Sequence, residues 1–196
     1  MTNYPITNKL KNMKKITLIL FVFLAIATQS NAQKYISKNG NITFYSDGPL
    51  EKIEARNNQV NSALNIETGD FVFKVLMKSF VFEKALMQEH FNENYVESDE
   101  FPNAMFKGKV TNIQDIAFST SGTYNAEIEG DLTIHGIKQH VKEKGSFVIS
   151  KDGIQGISKF YIILDDYDIS IPGAVTGKIA EKIEITVDLK LKPLNK

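Results

Sequence analysis

The stretch Ile183-Glu184-Ile185-Thr186-Val187-Asp188-Leu189-Lys190-Leu191 places an apolar side chain at every second position. Successive side chains of a strand point to opposite faces, so this segment has one greasy face and one wet face. A helix would scatter the same five apolar residues around its circumference. The pattern recurs upstream. Ile128, Leu132 and Ile134 alternate with Glu127, Glu129, Asp131 and Thr133, with Gly130 read as a bend. Ala104, Phe106, Gly108 and Val110 oppose Lys107 and Lys109, and Phe71, Phe73, Val75 and Met77 oppose Lys74 and Lys78. Further strands are expected over residues 40–46, 61–67, 139–150 and 156–165. Asp47-Gly48-Pro49, Thr68-Gly69-Asp70, Ser121-Gly122 and Lys151-Asp152-Gly153 mark turns between them.

One segment has a different period. Between residues 83 and 95, Met87, Phe91 and Tyr95 recur every fourth position, the spacing of one helix face. A single short helix is therefore expected between strands, with a second one conceivable over residues 174–180. Eight or so antiparallel strands, with no linker and no repeat, make an all-β chain folded as one closed or nearly closed barrel. A β-sandwich stays open as the alternative. A barrel of about eight strands is either filled by its own side chains or holds one slender ligand, and periodicity does not distinguish the two.

The start of the chain reads as a leader. Met13-Lys14-Lys15 precedes an apolar run from Ile16 to Ala27 broken only by Thr17, and Ser30-Asn31-Ala32-Gln33 closes the segment. A basic start, about a dozen apolar residues and small residues before a cut describe a secretory signal peptide over residues 13–32. The run is short for a membrane span, which needs about 20 residues. Residues 1–12 are polar and read as an upstream extension, with Met13 the true start. The domain then occupies residues 33–196, and the expected destination is the periplasm.

Composition narrows the function. The chain has 196 residues, with Lys plus Arg and Asp plus Glu at 23 each. Four of the basic residues lie in residues 1–32, extension and leader together, leaving 19 against 23 acidic ones and a net charge near −4. That balance disfavours nucleic acid, whose binding rests on neutralising phosphates, and disfavours anionic membrane surfaces. The absence of Cys excludes a thiol nucleophile, a disulfide, a thiolate metal site and a lipidated cysteine. Three histidines remain: His90 in the expected helix, His135 at the end of a strand, and His140 five residues on, able to meet His135 across a tight turn. A metal-assisted enzyme would need these three to converge. No phosphate cradle and no Gly-x-Ser-x-Gly elbow occurs. No catalytic set is expected, nor a metal or cofactor.

The stretch Gly130-Asp131-Leu132-Thr133-Ile134-His135-Gly136 resembles the G-x-L-T-I-[RH]-G strand and turn of the YceI-like family. Glu89-His90-Phe91, then Pro102, Phe106 and Gly108, resemble that family's helix, its strand start and its following glycine. Asp165-Asp166-Tyr167-Asp168-Ile169-Ser170-Ile171-Pro172 before a terminal alternating strand fits as well. The likeness runs from about Tyr35 to Leu194. One departure is Gly136-Ile137-Lys138-Gln139-His140, where the family usually carries a Thr-Lys-Pro run. The resemblance implies an eight-stranded lipocalin-like barrel in the periplasm, often dimeric, that holds a long isoprenoid lipid such as a quinone or polyprenyl tail in an apolar tunnel.

On that reading the tunnel is lined by Phe73, Val75, Met77, Phe106, Val110, Leu132, Ile134, Phe147, Ile149, Phe160, Ile162, Ile183, Ile185 and Val187. His90, Phe91 and Tyr95 stand at its mouth. The same residues would serve equally as an ordinary core, and a structural or stress-related interaction protein with a filled barrel is the alternative. Cleavage is expected after Ala32: N-terminal sequencing of the secreted protein should read Gln33 first, and a chain still beginning at Met13 would contradict the leader.

Overall fold

The structure is a computed structural model and describes residues 34–194. The expected extension and leader lie outside the described residues. The strands are β1 (Lys34–Asp47), β2 (Lys52–Asn65), β3 (Asp70–Leu76), β4 (Val81–Phe82), β5 (Asn103–Val110), β6 (Gly122–Ile134), β7 (Ile137–Ser150), β8 (Gly153–Ile163) and β9 (Lys182–Pro193). Every pairing between named strands is antiparallel, in the order β1-β9-β8-β7-β6-β5-β3-β2, and β1 also pairs with β2. That last pairing closes an eight-stranded barrel, so the sandwich alternative falls. The two-residue β4 adds to β2 at Ala55 and Arg56, where β3 has already left it.

Alternation predicted the inward faces. Phe71, Phe73 and Val75 are buried while Val72, Lys74 and Leu76 between them are exposed. In β9, Ile183, Ile185, Val187, Leu189 and Leu191 are all buried. β2 begins well before the expected residue 61. The polar pair Asn57-Asn58 hides its first half, because the β1–β2 register shifts on either side of Gly40. There Asn57 is fully buried: its Nδ2 donates to the Leu76 carbonyl at 2.9 Å and its Oδ1 accepts from the Gln59 N–H at 2.9 Å.

The inserted helix is α1 (Ala85–His90), continued by one π-helical turn over Phe91–Tyr95. The second helix is not formed: only a 3-10 turn at Gly173–Val175 exists there. Pro172 and Gly177, the latter at φ 82°, bracket the segment and stop it propagating.

The β6–β7 connection is a two-residue hairpin. Ile134 pairs with Ile137, and His135 and Gly136 both take positive φ, at 50° and 73°. Two such residues make the mirror-image turn whose twist suits antiparallel strands.

Gly130 is not a bend. It pairs with Gly108 on the inward face, and a Cβ on Gly130 would lie 2.6 Å from the Lys107 carbonyl oxygen. A Cβ on Gly108 would lie 2.7 Å from the tip of the Phe106 ring. The missing side chains let β5 and β6 approach and leave room for aromatic rings. Phe71, Phe73 and Phe106 fill it with centroids 5.9–6.2 Å apart.

On the outer face of the same hairpin His140 bridges two carboxylates. Its Nδ1 is 3.1 Å from Asp131 and its Nε2 is 3.1 Å from Glu129, with Lys142 3.1 Å from Glu129. Hydrogen bonds to Asp131, then to Glu129, raise the His140 pKa above its ordinary 6.5. Pairing with His140 first of all lowers both carboxylates.

Two outcomes are expected. Gly130→Ala should lower the free energy of unfolding by about 1–3 kcal/mol, since its Cβ meets backbone that must shift; an unchanged denaturant midpoint would show that the strands do not approach this closely. The His140 contact stabilises fully below pH 6.5 and is lost as pH rises through the raised folded value. The imidazole should therefore titrate above 6.5 by NMR, and Asp131→Asn should move the midpoint down.

Candidate functional site

The barrel interior is filled in one half and hollow in the other. At the end bounded by the β2–β3, β5–β6 and β7–β8 connections, side chains meet in the middle. Ile113 and Ile116, from the segment after β5, are buried there, and Phe118 contacts Phe147 at 6.1 Å between centroids. At the opposite end lies a cavity of about 470 Å³. Its wall is the continuation of the same inward faces.

Of the residues expected along a tunnel, Phe73, Val75, Met77, Leu132, Ile134, Phe160, Ile162, Ile183 and Ile185 line this cavity. Phe106, Val110, Phe147, Ile149 and Val187 do not: they are buried in the filled half. The expectation of a hollow along the whole barrel is therefore corrected. Both halves use the same residue types at the same period, and only the Gly108–Gly130 gap and the plug after β5 separate them.

The mouth is framed by the β1–β2 turn, α1 and the β8–β9 connection. His90, Phe91 and Tyr95 all line the cavity. Phe91 is the centre of a ring cluster, 5.5 Å from Phe44, 5.5 Å from Phe80 and 5.0 Å from Phe82. Rings at these separations attract beyond their burial, which seats α1 across the barrel end. The Phe82 N–H also donates to Gln88 Oε1 at 3.3 Å. Tyr95 is half-buried, and that burial raises its phenol pKa.

The rim is amphipathic. Leu86 and Leu50 are exposed by 60% and 75%, an unfavourable disposition for water alone. Lys84 Nζ lies 3.0 Å from Glu51 Oε1, joining α1 to the β1–β2 turn, and that carboxylate raises the Lys84 pKa. Lys178 also lines the cavity.

Several lining residues escaped the sequence reading: Ile42 and Phe44 of β1, Phe80 and Phe82 around β4, and Leu164 and Ile169 beyond β8. The alternation Phe80-Val81-Phe82 was a legible signal. Ile169 follows a 3-10 turn and had none.

The histidines do not converge. His90 is exposed on α1. His135 is held by Glu97, whose Oε2 is 2.7 Å from its Nε2, by the Tyr167 carbonyl 3.1 Å from its Nδ1, and by the Phe101 ring at 4.6 Å. His140 faces outward, bound to Asp131 and Glu129. The tight turn thus sends His135 and His140 to different surroundings, and among the described residues no group of three or more His, Asp or Glu is placed to hold a metal ion. No helix of the described residues is long and apolar enough to cross a membrane.

Comparison with known proteins agrees with this architecture. The chain is similar to a polyisoprenoid binding domain from Saccharophagus degradans implicated in plant cell wall breakdown, at 11% identity and a TM-score of 0.70, covering 83% of this chain and 99% of that one. It is similar to Burkholderia cenocepacia BcnA, at 13% identity and a TM-score of 0.64, covering 78% and 96%. The Campylobacter jejuni YCEI protein follows at 12% identity and a TM-score of 0.54, covering 72% and 85%. At such identities the likeness is one of fold. No curated protein matches the sequence. The family model of the YceI-like domain matches residues 31–191, and this eight-stranded barrel accordingly belongs to the YceI-like family.

Proposed function

We propose that this protein is a periplasmic carrier of a long apolar lipid of isoprenoid type, the quinone or polyprenyl class, rather than an enzyme. The observation that carries the reading is the cavity of about 470 Å³, walled by Phe, Ile, Val, Leu and Met side chains. A dry cavity of about 150 Å³ accepts a six-carbon ring, so this volume suits a chain of roughly twenty carbons by the same measure. Each buried CH₂ contributes about 0.8 kcal/mol. A tail of a few isoprene units is then held without any charged anchor, in keeping with the separate placement of the histidines.

The fold shared with a polyisoprenoid binding domain supports the ligand class. The leader-like segment over residues 13–32 supports export. The mouth suits the entry of an amphipathic ligand, because exposed Leu86 and Leu50 adjoin the Lys84–Glu51 pair. A filled-barrel structural protein is the weaker reading, because an unfilled apolar volume forfeits contacts that a solid core would gain.

Lipid extraction of protein isolated from its native host, followed by mass spectrometry, should recover a prenyl lipid in near-stoichiometric amount, and recovery of none would count against the carrier. Val75→Trp places an indole in the cavity. It should cut lipid occupancy by about tenfold or more while leaving the barrel folded, since the added volume enters vacant space. Undiminished occupancy in a folded variant would remove Val75 from the lining.

A further inference from the structure

Along one seam the barrel wall parts. β7 and β8 pair from Gly145↔Ser158 to Ser150↔Gly153. Beyond that point β7 continues along β6 as far as Ile137, and β8 continues along β9 as far as Ile163. The strands separate at the hollow end of the barrel. Between them sits the 3-10 turn Asp165–Tyr167, tied to β7 by Gln139 Nε2, which donates to the Asp166 carbonyl at 2.7 Å.

A second pocket of about 190 Å³ occupies the parting. On its outer side stand exposed His140, Tyr161 and Ile163. Its inner side is Leu132, Phe160 and Ile162, and these same three side chains line the main cavity. The partition between pocket and cavity is one side chain thick.

Among the polar residues that line this pocket, Glu143 and Tyr167 are the ones drawn into the wall. Glu143 shares the inward face of β7 with buried Phe147 and Ile149, opposite Ile128 of β6. Burial alone raises the pKa of its carboxyl, with no hydrogen bond to offset it. Tyr167 is 2% exposed, and its phenol is pushed up to about 12 by burial, then by Asp166 and Glu143. A half-buried carboxylate facing inward in an apolar barrel costs free energy unless something pairs with it.

We infer that the β7–β8 parting is a head-group subsite: it takes a hydrogen-bond-donating head, a cationic amine above all, against Glu143, while the apolar chain lies in the main cavity beyond Leu132, Phe160 and Ile162. The inference rests on the cavity being a lipid site. An ammonium beside Glu143 forms a charge-assisted hydrogen bond, roughly twice as strong as a neutral one. An acidic head is repelled by Glu143 and Asp166.

The test uses the full chain and three probes with one twelve-carbon chain: dodecylamine, 1-dodecanol and dodecanoate, titrated by calorimetry. The expected order is amine, alcohol, acid, with the amine favoured over the acid by about tenfold or more, the ratio that 1.4 kcal/mol commands. Glu143→Gln should collapse the three to within about twofold. Val141→Trp, which fills the side pocket but not the main cavity, should lower amine affinity by about tenfold; Tyr167→Phe, which deletes only the phenol oxygen, should narrow the amine preference. Equal affinities in the wild type, or a ranking that survives Glu143→Gln in folded protein, overturn the subsite and leave the cavity reading standing. Failure of all three probes to bind folded wild-type protein overturns the cavity reading and this inference with it.

Discussion

Closure of β1 against both β2 and β9 is the constraint from which the rest follows. An open sheet has a free edge and no fixed interior. A closed one has no edge and encloses a set volume. Every inward side chain then competes for that volume, and the balance between ring, branched and absent side chains decides where it is filled. β1 closes the barrel on both sides, and its register against β2 shifts at Gly40. A Cβ there would lie 3.2 Å from that of Val60. Beside the shift, the buried Asn57 side chain is itself satisfied: it accepts from the Gln59 N–H and donates to the Leu76 carbonyl at the end of β3.

The filled and hollow halves arise from that competition. Where the two halves meet, the rings of Phe71, Phe73 and Phe106 enter the space vacated by Gly108 and Gly130, and in the filled half Ile113 and Ile116 are buried from the connection after β5. In the hollow half Val75, Ile162, Ile183 and Ile185 stand in the wall with the rings of Phe73 and Phe160. Four further rings at that end, Phe44, Phe80, Phe82 and Phe91, pack on one another beneath α1. The helix thus caps the cavity, and its Phe91 gathers the other three rings at the mouth.

How much of this was legible follows from what period two encodes. It reports which face a residue takes, so the inward set of β9 and the wet face of Lys107 and Lys109 were readable. The fourfold recurrence of Met87, Phe91 and Tyr95 likewise placed the helix and its cavity-facing side. Period says nothing of height along the barrel axis, which is why Val110 and Val75 looked alike and lie in different halves. Nor does it report partners. Residues 137–150 form one unbroken strand, so the departure of β8 from it leaves no trace in the local pattern. The bend expected at Gly130 failed for a related reason: its close approach to Gly108 depends on a neighbour outside the local sequence.

That departure is held in place by contacts between residues of unusual backbone conformation. Among the described residues, Glu97, His135 and Asp168 are the non-glycine positions with positive φ, at 43°, 50° and 55°. Such conformations are uncommon, Asp and His tolerating them better than Glu. All three belong to one corner of the barrel. Glu97 follows α1 and reaches His135 in the β6–β7 turn, and His135 in turn reaches the carbonyl of Tyr167, the residue before Asp168. Strained backbone persists where its surroundings over-determine it, and three connections meeting on one imidazole do so. The consequence is mechanical. With Tyr167 and Asp166 fastened to β7 through His135 and Gln139, the 3-10 turn occupies the space in which β8 would otherwise zip along β7. The parting therefore has a built cause, and the corner that seats the end of the helix is the corner that keeps the wall apart.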